Sequence, residues 1–252
     1  MARHDLRTPR LYVEIPLGEG ARIPLDAAQA NYLGNVMRLK TGDSVLVFNG
    51  RDGEWRGALA STGKRRLALT VTSRTRPQPG ARDLHYLFAP LKHARLDYMA
   101  QKAVEMGASR LQPVMTRRAQ VARVNLERMR ANAIEAAEQC GILTLPEIGA
   151  PLTFERMLAE RDPGRLLVFC DEDAEVGDPI AALAAARGGG RPEPMPLAVL
   201  VGPEGGFAQD ERAALLELPN TVRLALGPRV LRADTAAVAA LALVGAVLGD
   251  WR

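Results

Sequence analysis

The chain's 252 residues suffice for one large domain or for a small one beside a medium one, and its 47% apolar but 4% aromatic content requires a core of Leu, Val and Ala. A formal charge of +4, from 33 Lys and Arg against 29 acids, is too small to identify a nucleic-acid binder by itself. Only Cys140 and Cys170 are present, in no metal-ligand spacing, which argues against a disulfide framework or a metal site and for a reducing cytoplasm.

The opening residues are polar and charged, unlike a secretion signal, and the first part of the chain carries an excess of arginine around Arg3, Arg7, Arg10, Lys64, Arg65, Arg66, Arg74 and Arg76. Such asymmetry suggests a polyanionic partner, because basic side chains release counterions from phosphates. A helix is predicted from Asp26 to Met37 with Asp26 as its N-cap. Ser44–Phe48 and Glu54–Leu59 are predicted strands joined through Asn49-Gly50-Arg51-Asp52-Gly53, and Lys64–Thr72 is a third. Arg76-Pro77-Gln78-Pro79-Gly80 breaks regular structure and reads as a linker, so a small β-rich unit at 1–76 precedes a larger one at 83–252.

Beyond the linker the pattern changes. Leu84–Leu91, Arg110–Met115, Leu166–Cys170, Leu197–Val201 and Val222–Leu226 are apolar runs of strand length. Helical stretches at Arg95–Met106, closed by Gly107, and at Asn125–Cys140 lie among them. Gly188 to Pro194 reads as a surface loop, and Ala236 to Gly249, too short to cross a bilayer, as a buried helix, so no membrane association is expected. Strands alternating with helices predict an α/β unit built on a parallel sheet.

Two of these strands end at Gly-Pro and run on toward a helix. They are Leu200-Val201-Gly202-Pro203-Glu204-Gly205-Gly206-Phe207 and Leu224-Ala225-Leu226-Gly227-Pro228-Arg229-Val230-Leu231-Arg232-Ala233-Asp234-Thr235-Ala236. Loops at the carboxyl ends of parallel strands form ligand crevices, and glycine lets a ligand approach the backbone. Neither the Gly-Lys-Ser/Thr of a phosphate loop nor the Gly-x-Gly-x-x-Gly of a dinucleotide fold is present.

As a pair, in this order, the two loops resemble the cofactor loops of SPOUT methyltransferases, and in detail those of the ribosomal RNA small-subunit methyltransferase E family. Gln101-Lys102-Ala103-Val104-Glu105-Met106-Gly107, Thr116 with Arg118, Glu135 to Cys140 and Arg38-Leu39-Lys40-Thr41-Gly42-Asp43 extend the likeness over nearly the whole chain. The chain departs from that pattern at Asp234, where Glu is usual, at Met106, where Leu is, and at Arg117, where an acid is common.

The resemblance implies a SPOUT-type parallel-sheet domain closed by a trefoil knot, behind a smaller N-terminal PUA-like RNA-binding β-barrel. It implies S-adenosylmethionine as cofactor, a uridine N3 in 16S ribosomal RNA or the small ribosomal subunit as acceptor, and a homodimer. The cofactor would lie against Leu200, Val201, Gly202, Glu204, Gly205, Leu226, Gly227, Leu231, Thr235 and Ala236. Arg232, Asp234 and Arg118 are the catalytic candidates, with Glu138 or Gln139 as orienting groups; Glu204 is expected to shape its turn. Arg10, Arg38, Lys40, Lys64, Arg65 and Arg66 are the candidate RNA contacts. The sulfonium methyl is already electrophilic, so the reaction calls for a base and a charge-stabilising donor rather than a metal. Ribose 2′-O methylation and a non-catalytic RNA-binding assembly factor are the alternatives.

Overall fold

A computed structural model describes residues 5, 7–63, 66–80, 82–175, 177–187 and 194–251, which form two compact units. The first comprises residues 1–80 with 134–145, and the second the rest.

In the first unit, β1 (Arg10–Tyr12), β2 (Arg22–Pro24), β3 (Ser44–Phe48), β4 (Glu54–Gly63) and β5 (Arg66–Arg76) form one sheet in the order β1-β3-β4-β5-β2. The β3–β4 hairpin forms as the turn residues predict, with Phe48 opposite Glu54. Asn49 Oδ1 accepts the N–H groups of Arg51 and Asp52 at 3.0 and 2.9 Å, and Gly53 at φ +84° lies where a Cβ would run into the Arg76 carbonyl. Register shifts at three places along β4–β5 bend that long ribbon, and the sheet curls around a core of Leu11, Val45, Val47, Leu59, Leu69 and Val71. Among the described residues no pairing of β1 with β2 closes the curl into a continuous barrel.

The predicted helix at 26–37 is two elements. α1 (Ala27–Asn31) starts at Asp26 with a reciprocal capping box to Gln29, and a wider π-helical stretch (Tyr32–Val36) follows. Leu33 in that stretch is fully buried, and Arg38 beyond it takes a left-handed φ of 55°.

The second unit carries β6 (Leu84–Phe88), α2 (His93–Glu105), β7 (Arg110–Met115), α3 (Leu126–Cys140), β8 (Glu147–Ile148), β9 (Leu152–Thr153) and α4 (Phe154–Glu160). After these come β10 (Leu166–Cys170), α5 (Pro179–Arg187), β11 (Leu197–Val201), α6 (Gln209–Glu217), β12 (Thr221–Leu224) and α7 (Ala233–Val247). The end of α3, from residue 134, belongs to the first unit. The strand order is β12-β10-β11-β6-β7-β8, with β9 on β7, and every pairing is parallel.

The five apolar runs all contain strands, although β6 stops at Phe88 and β12 covers Thr221–Leu224, because a parallel sheet covered on both faces favours near-continuous apolar runs. β11 is buried throughout its length. α7 packs against α2, α5 and β11, and its Ala236, Ala237, Ala240 and Leu241 are buried there. A second core joins Phe154, Met157, Leu167, Phe169, Leu200 and Phe207. The expected loop at 188–194 falls, apart from Pro194, outside the described residues. Among the described residues, no helix is long and apolar enough to cross a membrane, and no group of three or more His, Cys, Asp or Glu could hold a metal.

Candidate functional site

At the carboxyl ends of β10, β11 and β12 three loops converge on a crevice of about 220 Å³. Its walls are the turn Cys170–Asp173, the loop Val201–Phe207, the loop Leu224–Leu231 and the first turn of α7 through Ala233 and Ala236. Strand order places these loops together: β10 lies between β12 and β11, so segments more than 25 residues apart end side by side.

Glycine shapes the second loop at two positions. A Cβ on Gly202 would lie 2.7 Å from the ring of Phe207, and one on Gly206, where φ is +67°, would collide with Glu172 Oε1. The loop is then pinned from outside. Glu204 accepts from Arg95 Nη1 and Gln120 Nε2, each at 3.0 Å, and Arg118 Nη1 donates to the Gly205 carbonyl at 2.6 Å. Glu211, itself buried, accepts the N–H groups of Arg117 and Ala208, both at 2.8 Å, fixing the start of α6. The expectation that Glu204 shapes its turn matches this arrangement.

The first loop is set by charge. Asp171 is buried and accepts from Arg212 and Arg223; burial pushes its carboxyl up, but those donors hold it below the usual carboxylate range. Beside it, burial pushes the Cys170 thiol up to about 12, so it is a neutral wall group rather than a nucleophile.

Of the sequence-predicted cofactor residues, Val201, Gly202, Glu204, Leu226, Gly227, Leu231 and Ala236 line the crevice. Leu200 is fully buried in the sheet core, and Gly205 and Thr235 stand beside the crevice without lining it. Arg118 lines it, whereas Arg232, the exposed N-cap residue of α7, and Asp234 do not. Asp234 Oδ1 accepts the Thr235 N–H at 2.9 Å. The sequence reading missed the Cys170–Asp173 wall and the crevice arginines Arg212 and Arg229. The available signal was an apolar run followed by three consecutive acids, Asp171, Glu172 and Asp173, at the carboxyl end of a strand.

In the first unit, Arg38 and Lys40 are exposed at the end of the π-helical stretch, and Arg66 is exposed at the start of β5. Lys64 and Arg65 lie outside the described residues. Arg10 has to be corrected. It is 6% exposed, with Nε on Glu54 Oε2 at 2.7 Å and its other donors on the carbonyls of Glu138 and Asp5, so no donor is presented to a phosphate. Glu138, expected at the crevice, instead accepts the Tyr12 N–H at 2.8 Å within the first unit.

Thr116, next to the pinning arginines, has a buried hydroxyl without a partner among the described residues. Leaving a buried donor unpaired costs about 1–3 kcal/mol, so Thr116→Val, which keeps the β-branched shape, is expected to stabilise the protein by about 1 kcal/mol. Thermal denaturation checks this, and a lower melting temperature would show that the hydroxyl is satisfied.

Comparison with known proteins places these features in context. A family model described as an RNA methyltransferase domain matches residues 78–245, and one described as an RNA methyltransferase PUA domain matches residues 25–72. Ribosomal RNA small subunit methyltransferase E of Rickettsia conorii is 30% identical over 236 residues, covering 93% of this chain and 94% of that protein. The Synechocystis protein of the same name is 32% identical over 234 residues, covering 90% and 74%. The crystal structure of ribosomal RNA small subunit methyltransferase E from Neisseria gonorrhoeae bound to S-adenosyl methionine matches with a TM-score of 0.83 at 25% identity, covering 98% of this chain and 100% of that one.

Proposed function

This chain belongs to the ribosomal RNA small subunit methyltransferase E family, and from that premise we propose that it methylates N3 of a uridine in 16S ribosomal RNA with S-adenosylmethionine as donor. The coarse reaction, methyl transfer from S-adenosylmethionine to small-subunit ribosomal RNA, follows from the family and its cofactor-bound relative. The choice of N3 is the finer step and rests on the likeness to the family through Gln101, Glu105 and Leu231-Arg232-Ala233-Asp234-Thr235, while the crevice suits the reaction on both sides. Its glycine-bearing loops give a nucleoside close access to backbone groups, as adenine recognition requires. Its arginines, Arg118 and Arg229, offer positive charge to an electron-rich acceptor.

When bound, the cofactor supplies an electrophilic methyl group on a sulfonium. Uridine N3 carries a proton that must leave as the N3–CH3 bond forms and the S–CH3 bond breaks, and the negative charge spreads to the ring carbonyls. In this proposal Arg118 stabilises that charge, and Asp234, which stands in the first turn of α7 beside the crevice rather than lining it, is the candidate proton acceptor. Arg232, at the head of α7, holds the substrate phosphate. Arg38, Lys40 and Arg66 engage RNA from the PUA-like module. A trefoil threading of the last segments, a homodimer and a cytoplasmic location belong to the same proposal.

The test is methyl transfer from labelled S-adenosylmethionine to purified small ribosomal subunits, followed by nucleoside separation. N3-methyluridine is expected, with Arg118→Ala lowering turnover at saturating cofactor by about 100-fold, the scale of a lost charge-stabilising donor. Recovery of 2′-O-methyluridine would overturn the choice of acceptor atom. No transfer to any ribosomal RNA would overturn the ribosomal assignment.

A further inference from the structure

The carboxylates that line the crevice are Asp171, Glu172, Asp173 and Glu204. Three are matched by arginines: Asp171 by Arg212 and Arg223, Asp173 by Arg212 at 3.7 Å, and Glu204 by Arg95 at 3.0 Å. Glu172 alone makes no ion pair or hydrogen bond among the described residues. Its position is nonetheless built in. The carboxylate sits against Gly206, where any side chain would displace it, and the left-handed φ of +67° there is one that glycine tolerates best. The opposite charges at the crevice sort in the same way. Arg212 is committed to Asp171, whereas Arg118 donates only to a carbonyl and Arg229 has no partner among the described residues.

An unmatched negative charge set into the wall of a ligand site favours a ligand carrying positive charge there. We infer that Glu172 is a specificity-determining residue of the cofactor site, recognising a positive centre of the methyl donor. This rests on the reading that the crevice binds S-adenosylmethionine. That donor offers two positive centres, the sulfonium and the amino group of its methionine part. Only the sulfonium distinguishes it from the product S-adenosylhomocysteine, a neutral thioether that keeps the amino group. The remaining unmatched cations, Arg118 and Arg229, are left for the polyanionic acceptor.

Titration calorimetry with three nucleosides tests the assignment: S-adenosylmethionine, S-adenosylhomocysteine and methylthioadenosine, which has neither positive centre. Glu172→Gln keeps the shape of the side chain and, at an exposed position, leaves the fold intact. The expected result is a loss of about tenfold in affinity for S-adenosylmethionine, the scale of one charge-assisted contact, with methylthioadenosine unchanged within about twofold. If S-adenosylhomocysteine is also unchanged, Glu172 reads the sulfonium and sets donor over product. If it weakens by the same factor, Glu172 reads the amino group. Glu147→Gln, which removes an acid that does not line the crevice and is paired with Arg110, is expected to change all three by less than about twofold. Equal losses for the three ligands, no loss for any, or the same effect from Glu147→Gln would overturn the assignment. Failure of the unaltered protein to bind S-adenosylmethionine would instead overturn the function on which the inference rests.

Discussion

Replacing Glu54 with glutamine is expected to cost the first unit about 3–5 kcal/mol, the scale for breaking a buried ion pair from one side. Glu54 is 3% exposed. Its Oε2 accepts from Arg10 Nε and Arg76 Nη2, both at 2.7 Å, and its Oε1 from Arg76 Nε at 3.0 Å and Thr75 Oγ1 at 2.8 Å. The same two arginines reach the end of α3, Arg10 donating to the Glu138 carbonyl and Arg76 to that of Gly141. Helix carbonyls at that end lack backbone partners, and cations suit the negative end of the helix dipole. Glu54 therefore holds β1, β4, β5 and the end of α3 through two guanidiniums. Trp55, its neighbour in β4, gives a fluorescence signal for denaturant unfolding of this unit. Glu147→Gln, which breaks an exposed pair with Arg110, should cost no more than about 0.5 kcal/mol and serves as the control. A Glu54→Gln loss as small as that of the control would mean that the arginines find other partners.

The same group predicts a pH dependence. Burial pushes the Glu54 carboxyl up, but the Arg76, Arg10 and Thr75 donors outweigh it and bring it from 4.5 down to about 2. A carboxyl lowered on folding stabilises the folded state when ionised. Its contribution, of the order of 3 kcal/mol, is complete above the unfolded value of 4.5 and is lost as pH falls from there toward 2. Acid unfolding of the first unit should accordingly lose most of this slope in Glu54→Gln.

Gly202→Ala is the change expected to do most damage at the crevice. The Cβ would lie 2.7 and 3.1 Å from atoms of the Phe207 ring. That ring cannot swing away freely, since its centroid is 5.3 Å from that of Phe169 and 6.2 Å from that of Phe154, inside the second core. The clash must move the loop or the core, at about 1–3 kcal/mol. A displaced loop is expected to weaken S-adenosylmethionine binding by at least about tenfold, if the cost falls on the bound geometry. Gly18→Ala, with no atom within 4 Å of its Cβ, should change melting temperature and binding little. Unaltered cofactor affinity in Gly202→Ala would show that the loop does not form the binding wall.

Much of this molecule is legible in order of residues. Local signals carried the hairpin, because Asn49 and the glycines at 50 and 53 meet backbone demands within five residues. They carried the Asp26 cap for the same reason. The α1 continuation was harder: whether 32–36 winds as an α- or a π-helix depends on which turn carries Leu33 into the core, and that core is made by distant strands. The short strands β8 and β9 also escaped notice, since two residues carry no periodicity.

The site divided along the same line. Gly202-Pro203-Glu204-Gly205-Gly206 and Leu226-Gly227-Pro228 mark the turns that border the crevice, because glycine and proline act through the backbone they occupy. Charged residues carry no such local mark. Arg10 and Arg118 look alike in sequence, yet one is locked on Glu54 inside a core and the other lines a crevice. Glu172 and Asp171 are neighbours, and only the approach of Arg212 and Arg223 neutralises one and leaves the other unmatched. By itself, then, the sequence determined the long apolar strands, the capped helices and the glycine turns, since these follow from short-range backbone preference and the burial of periodic apolar side chains. The short strands β1, β2, β8 and β9 carry too few residues to show a pattern. Tertiary structure alone decided which charges meet, because an ion pair depends on a few ångströms of distance between residues that the chain holds far apart.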